Sequence, residues 1–392
     1  MTDLPGAGGA ADELVEPRYG DRTLGDVLPA VAAGLGLDPD VLGEAPAGLA
    51  LPPSTAYVVL LIDGLGARLL EQHAHLAPYL SALPDATGTG PGATAGVPST
   101  TATSLTSLGT ALTPGTHGVV GFTSRIPHTK RLLEALRWDD AVDPREWQPH
   151  PTAFERLAEA GVTTTTVNQR AFRRSGLTVA GHRGAEWVGA DKTGERIAAV
   201  ATAAARTPSV TYCYDGDLDW VGHRHGVDSD AWRAQLVACD ADAQRLRAAL
   251  PPRATLVVVA DHGMIDAPQA SRVDVAAVPA LREGVDLLAG EARFRHLYVR
   301  QGALDDVVTA WSAHLGDGAL VLPQEEAVAR GWFGPPGTSL DTDVSPRVGD
   351  VVVACRGDVA VFDSDRFAYE TRLVGLHGSL TATEMLIPVR VD

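Results

Sequence analysis

Short apolar runs alternate along this chain with longer segments that have helical periodicity. The apolar runs are of strand length and lie at residues 56–62, 163–167, 209–214, 255–260, 296–299, 351–355 and 359–362. The helical segments lie at residues 23–35, 152–160, 192–206, 229–249 and 303–314. Continuous apolar strands separated by helices are typical of a mainly parallel sheet with both faces covered. The pattern therefore predicts an α/β fold.

Residues 275–345 have a pattern of their own. A strand, a helix and a strand (FRHLYV, ALDDVVTAWSAHL and ALVLP) are followed there by the Gly/Pro-rich loop GWFGPPGTS. This pattern predicts a small inserted α/β cap. The expected division is an N-terminal extension at 1–50, a catalytic core at 51–274 and 346–392, and the cap at 275–345.

Composition and charge narrow the range of partners. Of 392 residues, 45% are hydrophobic and 21% charged, so the chain can bury a sizeable core. The formal net charge is −17, which disfavours duplex nucleic acid and anionic membranes as partners. Bound metal ions could still supply positive charge at one place.

Cysteine content and the N-terminal sequence bear on the compartment. Three cysteines, Cys213, Cys239 and Cys355, do not make a disulfide framework and fit a reducing environment. The N-terminal sequence has neither a basic start nor an apolar segment of the secretory type. We expect a cytoplasmic protein.

Two segments place candidate chemistry beside glycines. Asp63 ends an apolar strand in LLIDGLG, and the carboxyl ends of strands in α/β sheets are where ligands bind. The run GVPSTTATSLTSLGT puts hydroxyls, among them Thr101, at a helix start, where free N–H groups favour a phosphate. Each segment also has a plainer interpretation, a tight turn for the first and helix capping by Ser99 or Thr100 for the second.

Three further segments carry histidines with aspartates or glycines. Asp219 and His223 are four residues apart in DLDWVGHRHG, and Asp261 and His262 directly follow a buried strand in VVVADHGM. His377 lies in the flexible sequence GLHG. Ionisable residues directly after a buried strand are costly unless they are paired or bind a ligand.

Together these segments supply three carboxylates and three imidazoles. The candidate ligands are Asp63, Asp219, His223, Asp261, His262 and His377, with the Thr101 hydroxyl as a seventh donor. Such a set suits two adjacent zinc sites, each with an open position for substrate. Mn²⁺ or iron could also use these nitrogen and oxygen donors.

The sequence resembles the alkaline phosphatase superfamily, and within it the type I phosphodiesterase/nucleotide pyrophosphatase branch. The matching stretches are LLIDGLG, PSTTATSLTSLGTALTPGTHGVVGF, DLDWVGHRHG, ADHGM and GLHG, in this order. The resemblance implies a three-layer α/β/α sandwich with a mainly parallel sheet. It also implies hydrolysis of a small phosphate ester or nucleotide-like substrate.

The family's residue roles carry over by position. The nucleophile is the Thr or Ser three residues after Pro98 and sixteen before His117, which is Thr101. The implied ligands of the first ion are Asp63, Asp261, His262 and Thr101. The implied ligands of the second ion are Asp219, His223 and His377. We interpret His117 as structural and His225 as a residue outside the ligand set.

The sequence departs from the family at two positions beside the nucleophile. Ala102 stands where nucleotide-cleaving relatives have an aromatic residue, and Ser104 where they have an asparagine that steadies a phosphoryl oxygen. We expect the Ser104 hydroxyl to donate to that oxygen. The chain also lacks the Cys-x-Pro-x-Arg segment of sulfatases.

The expected reaction is phosphodiester or pyrophosphate hydrolysis through a covalent phospho-threonine. The first alternative is a phosphomonoesterase or phosphonate hydrolase, which would need an added cation. Candidates for that cation are Arg125, Arg170, Arg173, Arg174 and Arg183. The second alternative is a metal-binding protein without catalysis. The substrate pocket is expected to draw its walls from the N-terminal segment and the cap.

Overall fold

A six-stranded sheet forms the centre of the structure, a computed structural model that describes residues 14–88, 90 and 92–392. Residues 1–13 of the predicted N-terminal extension lie outside the described residues. In chain order, strands β1 to β18 span Ala56–Ile62, Ala93–Thr94, Thr123–Arg125, Leu132–Glu134, Thr163–Asn168, Glu186–Gly189, Ser209–Asp215, Ala254–Val259, Ile265–Asp266, Arg272–Asp274, Val285–Glu291, Phe294–Val299, Ala319–Pro323, Val351–Cys355, Ala360–Phe362, Gly375–Leu376, Leu386–Ile387 and Val389–Val391. Helices α1 to α15 span Val27–Gly34, Ala67–Gln72, Pro78–Ala82, Thr101–Thr110, Pro114–His117, Pro144–Trp147, Ala153–Glu159, Gly176–His182, Thr193–Ala204, Asp217–His225, Asp230–Ala249, Pro279–Arg282, Leu304–Leu315, Gln324–Ala329 and Ala382–Met385.

The central sheet has the order β18-β8-β1-β7-β5-β6. Its strands are parallel except β18, which pairs antiparallel with β8 at one edge. Every residue of β1 and β8 is buried, as expected for strands covered on both faces. The predicted α/β/α architecture is confirmed.

All strands of the central sheet except β18 are parallel, so their carboxyl ends lie at one edge of the sheet. Strand β1 lies between β7 and β8, with Leu61 opposite Tyr214 and Val259. Asp63 then donates its backbone N–H to the carbonyl oxygen of Asp215. Three chain segments therefore leave the sheet side by side.

A second, antiparallel sheet has the order β11-β12-β14-β13. Helix α13 connects β12 to β13, and the side chain of Trp311 on α13 is fully buried. This sheet contains the predicted strand–helix–strand pattern. It also contains β14, which the predicted cap boundary at residue 345 leaves outside the cap. The division into extension, core and cap stays a prediction.

The predicted strands are all present, with ends that differ by two residues at most. The predicted helix at 23–35 is a 3-10 turn followed by α1, and the remaining predicted helices are present as α7, α9, α11 and α13. The last predicted strand, now β15, pairs with β10 and lies outside the central sheet. No helix among the described residues is long and apolar enough to cross a membrane.

Candidate active site

The turn after β1 brings two of the sequence motifs together. Gly64 adopts a positive φ of 76° and donates its N–H to Asp261 Oδ1 at 3.1 Å. A Cβ at this glycine would lie 3.1 Å from the Asp219 Cα atom. Glycine is therefore favoured at position 64 both by its backbone conformation and by the close approach of α10.

Thr101 is the first residue of α4, whose ten residues are all buried. Its hydroxyl lies 3.4 Å from Asp63 Oδ2 and 3.2 Å from His262 Nε2. The side chain stands at the N-terminal end of the helix, where backbone N–H groups favour negative charge. This placement suits a nucleophile that attacks a phosphate group.

The first donor group consists of Asp63, Asp261 and His262. His262 Nε2 lies 3.4 Å from Asp63 Oδ1 and 3.4 Å from Asp261 Oδ2, and all three residues are buried. The ring's other nitrogen, Nδ1, lies 2.9 Å from the carbonyl oxygen of Gly263. Donation from Nδ1–H to that carbonyl would leave the Nε2 lone pair facing the carboxylates.

The second donor group consists of Asp219, His223 and His377. His223 Nε2 lies 3.4 Å from Asp219 Oδ2 and 3.2 Å from His377 Nε2. Both rings turn their Nδ1 atoms to backbone carbonyls, His223 to Gly375 at 2.7 Å and His377 to Ser99 at 3.0 Å. Both histidines thus turn Nε2 toward the centre of the group.

The two donor groups adjoin each other. The rings of His262 and His377 stack with centroids 3.6 Å apart. Burial, followed by the neighbouring histidines, lowers the pKa of His377 well below its ordinary value. A neutral imidazole is the form that binds a metal ion.

Buried carboxylates in these groups lack partners. Asp63 Oδ1, Asp219 Oδ1 and Asp261 Oδ2 have no hydrogen-bond partner among the described residues. Burial, followed by the charges of Asp261 and Asp219, raises the pKa of Asp63 well above its ordinary value. Burial likewise raises the pKa of Asp261. Buried carboxylates without a cation are costly, and a divalent ion in each group would satisfy these oxygens.

Tyr214 is a residue that the sequence analysis missed. Its hydroxyl donates to Asp63 Oδ2 from the neighbouring strand β7. Strand alternation points Tyr212 and Tyr214 to the same face, and Tyr214 lies near the carboxyl end of the predicted strand. The sequence did offer a signal: Tyr214 is a polar residue near the end of β7, and β7 pairs with β1, the strand that ends just before Asp63.

Ser104 makes a hydrogen bond that the sequence analysis did not predict. Its hydroxyl donates to the backbone carbonyl of Asp261 at 2.8 Å, and the side chain is fully buried. Its role toward a phosphoryl oxygen stays a prediction. In this structure Ser104 fastens α4 to the chain after β8.

The two remaining candidate histidines lie outside the donor groups. His117 is fully buried, with Nε2 at 2.9 Å from Ser107 Oγ and Nδ1 accepting from the Val119 N–H. It therefore joins α4 to the following turn, in agreement with a structural role. His225 is exposed at the end of α10.

Two cavities open beside Thr101. One, of about 160 Å³, extends past Leu136, Phe172, Leu177 and Trp187. The other, of about 280 Å³, is lined on its far side by aromatic and acidic residues, namely Phe122, Trp220, Tyr369, Glu291 and Glu370. Thr101, Leu136 and Asp219 line both cavities.

The walls of these cavities correct an expectation. No residue of the described N-terminal segment, 14–50, lines either cavity, so that segment does not form the walls. The predicted cap contributes Glu291 and Ala292. The other walls come from Asp63 and from residues in the ranges 100–223 and 369–377, which include the sequence motifs around Thr101, Asp219 and His377.

The candidate arginines also lie away from the cavities. Arg170 pairs with Asp191 and Glu195 on the surface, and Arg183 pairs with Glu155. Arg125 donates to the Pro346 carbonyl. Of the residues that the structure describes, no lysine or arginine lines either cavity.

The family model that matches the chain is that of type I phosphodiesterase/nucleotide pyrophosphatase, over residues 57–380. A search of curated proteins by sequence found no match.

Several solved structures have a similar fold. Murine ectonucleotide pyrophosphatase/phosphodiesterase 5 matches with a TM-score of 0.64 and 15% identity, covering 86% of this chain and 87% of that chain. The human counterpart matches with a TM-score of 0.61 and 16% identity over 86% and 87%. Phosphonoacetate hydrolase from Sinorhizobium meliloti, in complex with phosphonoformate, matches with a TM-score of 0.63 and 18% identity over 86% and 90%.

Proposed function

Because the chain belongs to the type I phosphodiesterase/nucleotide pyrophosphatase family, and is thereby a hydrolase of phosphoric esters, we propose that it is a two-zinc phosphodiesterase with Thr101 as its nucleophile. The two donor groups would each hold one ion, the first with Thr101 at its edge. Zinc is proposed because each group offers three nitrogen and oxygen donors and leaves a position for substrate.

One observation carries this proposal. Three buried carboxylate oxygens without hydrogen-bond partners, one each from Asp63, Asp219 and Asp261, lie near the start of α4, where Thr101 places its hydroxyl. Among the described residues, no lysine or arginine pairs with these three carboxylates. The neighbours within ion-pair distance of them are histidines. The arrangement is costly for a protein without ions and suitable for one that binds two.

In the proposed reaction, the Thr101 oxygen forms a bond to phosphorus as the bond to one alcohol oxygen breaks. Water then displaces Thr101 and releases the other half of the substrate as a monoester. When bound, the two ions would lower the pKa of the attacking hydroxyl and offset the negative charge that develops around phosphorus. The start of α4 aims the hydroxyl, and its free N–H groups favour the charged phosphoryl oxygens.

A diester is the substrate class that the cavities favour. Thr101 lines two cavities, so a phosphorus atom beside its hydroxyl would have space for one organic group in each. Exposed large apolar side chains cluster around the same openings, at Leu136, Phe172 and Trp220. A monoester carries more negative charge, and no cationic side chain among the lining residues would offset it.

The principal test replaces the nucleophile. Thr101→Ala should bind two zinc ions per chain but lose at least about 10³-fold in kcat on bis(4-nitrophenyl) phosphate, a loss typical of removing a nucleophile. Thr101→Ser should recover much of that activity because a serine hydroxyl can take the same role. Metal content is measured by mass spectrometry, and turnover from nitrophenolate release. Thr101→Ala with near-native turnover would remove the nucleophile assignment.

A substrate comparison separates diester from monoester chemistry. The zinc-loaded enzyme should have a higher kcat/KM for bis(4-nitrophenyl) phosphate than for 4-nitrophenyl phosphate. A preference for the monoester, or for a phosphonate such as that bound by the bacterial neighbour, would favour the alternative hydrolase. Fewer than two ions together with no hydrolysis of either ester would favour a binding protein without catalysis.

Two further proposals concern the cellular location of the protein and the class of molecule that it binds. We propose a cytoplasmic enzyme because its three cysteines are free and buried. With a formal charge of −17, we further propose a small phosphate ester as its partner, rather than duplex nucleic acid or a membrane.

A further inference from the structure

The larger cavity has a distinctive chemistry, and we call it the aromatic cavity. Phe122, Trp220 and Tyr369 form its aromatic wall, and the rings of Phe122 and Tyr369 meet edge to face with centroids 6.0 Å apart. Glu291, the last residue of β11, lies in the same wall. One arm of a substrate held at Thr101 would pass between these side chains.

Glu291 is a buried carboxyl group with an unused acceptor. The residue is 7% exposed, and its Oε1 atom has no hydrogen-bond partner. A Cβ at Gly378 would lie 2.7 Å from Glu291 Cγ and 3.4 Å from Oε1. Because residue 378 is a glycine, the Glu291 carboxyl group can occupy the space beside the loop that carries His377.

Two other buried glutamates show how this protein normally satisfies such groups. Glu370, which lines the same cavity, pairs with Arg295, and Glu384 pairs with Arg293 at 2.6 Å. Both glutamates have both carboxylate oxygens bonded to their arginine. Glu291 has no such arginine, although it is buried to a similar degree.

The charge around Glu291 favours a cationic partner. No lysine or arginine is among the described residues that line the cavity, and the other acidic groups there have their own partners, Glu370 with Arg295 and Asp219 in the second donor group. Burial raises the pKa of Glu291 to about 8, and hydrogen bonding by Thr100 and the charge of Arg295 oppose the rise only in part. A cation bound beside this carboxyl group would favour its charged form. A protonated amine would supply both a hydrogen-bond donor and the missing positive charge, and the aromatic faces would favour it further.

We propose that Glu291 is a specificity-determining residue that accepts a hydrogen bond from a protonated amine on one arm of the substrate. The substrate is then a phosphodiester with one amine-bearing arm in the aromatic cavity and an apolar arm in the smaller cavity. This inference rests on the proposed function, because it takes the ligand to be a phosphodiester held at Thr101.

Binding rather than turnover provides the test. The ligands are methyl phosphodiesters whose second arm is 2-aminoethyl, 2-hydroxyethyl or propyl, titrated calorimetrically into the zinc-loaded Thr101→Ala protein. That variant cannot turn the ligands over, and binding does not depend on which arm would leave. We expect the aminoethyl diester to bind at least about 10-fold more tightly than the propyl diester, as for a hydrogen bond to a charged group.

Glu291→Gln, made in the same Thr101→Ala background, should abolish this preference. It should weaken the aminoethyl diester by about 10-fold or more and the propyl diester by less than about 2-fold. Unchanged propyl binding shows that the variant is folded. Glu291→Asp keeps the charge but retracts it, and should retain part of the preference. Glu326→Gln, at an exposed carboxylate paired with Arg330, controls for net charge and should change neither affinity.

The outcomes separate this inference from the proposed function. Equal affinity for the aminoethyl and propyl diesters, or a preference that survives Glu291→Gln, would overturn the inference. Equal affinity for the aminoethyl and hydroxyethyl diesters would overturn the requirement for charge. Each of these results is compatible with an active phosphodiesterase. If instead the zinc-loaded wild-type enzyme, which retains Thr101, hydrolysed no diester, that result would count against the proposed function.

Discussion

At the scale of single residues, Tyr214 shows how a neighbour sets the properties of a proposed metal ligand. Its hydroxyl donates to Asp63 Oδ2, which leaves Asp63 Oδ1 free for the first donor group. A hydrogen bond of this kind orients the carboxylate that it contacts. Tyr212, two residues earlier on the same strand, has a buried hydroxyl without a partner and is a natural control.

Tyr214→Phe should therefore weaken zinc binding or kcat by about 10-fold to 100-fold, the range found for partners of metal ligands. Tyr212→Phe should change neither, because no hydrogen bond is lost. Zinc affinity is measured by competition with a chelator, and kcat with bis(4-nitrophenyl) phosphate. Indistinguishable behaviour of the two variants would show that the Tyr214 hydroxyl does not position Asp63.

His117 permits a residue-scale prediction about pH. Burial lowers its pKa to about 3 in the folded protein, against about 6.5 in an unfolded chain. The neutral ring is favoured by folding, so its contribution to stability is complete above pH 6.5 and is lost as the pH falls toward 3. Between pH 7 and pH 5, the free energy of unfolding of the wild type should fall by about 2 kcal/mol more than that of His117→Gln.

Chemical denaturation of the two proteins at several pH values measures this difference. The difference in free energy of unfolding between the two proteins at pH 7, where the His117 ring of the wild type is mostly neutral in both states, is the baseline for this comparison. Parallel pH profiles for the two proteins would contradict the prediction.

Residue identities were the part of the site most accessible from sequence. Asp63, Asp261 and His262 lie together in the structure, as strand ends in a parallel sheet meet at one edge. The bond of the Ser104 hydroxyl to the Asp261 carbonyl could not be predicted, because a position in a motif does not reveal which backbone carbonyl a hydroxyl reaches. Glu291 had no signal, since its isolation arises from the absence of an arginine that only the fold could show.

At the scale of elements, helix α4 must be held firmly for Thr101 to be aimed. All of its residues are buried, and it packs against α8 at two glycines. A Cβ at Gly109 would lie 2.0 Å from the Gly181 carbonyl oxygen. The close contact of these helices therefore depends on the absence of a side chain at position 109.

Gly109→Ala tests this packing against the intrinsic preference of alanine for helices. Helix propensity alone favours the substitution, but the clash with backbone should lower the free energy of unfolding by at least about 2 kcal/mol. Gly194→Ala in α9, where a Cβ would meet nothing within 4 Å, should change it by less than about 1 kcal/mol. The two variants are compared by urea denaturation, and a neutral or stabilising Gly109→Ala would refute the packing argument.

Long elements were predictable and short ones were not. The apolar runs of β1, β7 and β8 and the helix α11 were found because burial on both faces, or a full helical period, leaves a clear pattern. Strands such as β2, β9 and β16 have two residues each, too few for any periodicity. Strand β18 was missed for the same reason, although it pairs with β8 at the edge of the central sheet.

At the scale of the whole molecule, the carboxylates of the two donor groups link metal binding to folding. Carboxylates that are costly when the ions are absent become ligands when the ions are bound, so metal binding should be coupled strongly to folding. Zinc at about a thousandfold excess over its dissociation constant would stabilise the folded state by about 4 kcal/mol. Thermal unfolding with zinc, and after a chelator, measures the effect.

Asp261→Asn sharpens this prediction. The variant removes a carboxylate whose pKa is raised by burial, so without metal it should be at least as stable as the wild type near neutral pH. It should also lose most of the stabilisation by zinc. A wild type whose melting temperature is unaffected by zinc or chelator would contradict the assignment of the donor groups.

The order of these ligands along the chain has a consequence for biosynthesis. The second donor group is completed by His377, which follows the entire antiparallel sheet in sequence, while Asp63 directly follows the first strand of the central sheet. A nascent chain that extends just past β8, to His262, holds the first group but not the second. The two-ion centre can therefore form only after His377 has left the ribosome, so the newly made protein would depend on the zinc available to it at that late moment.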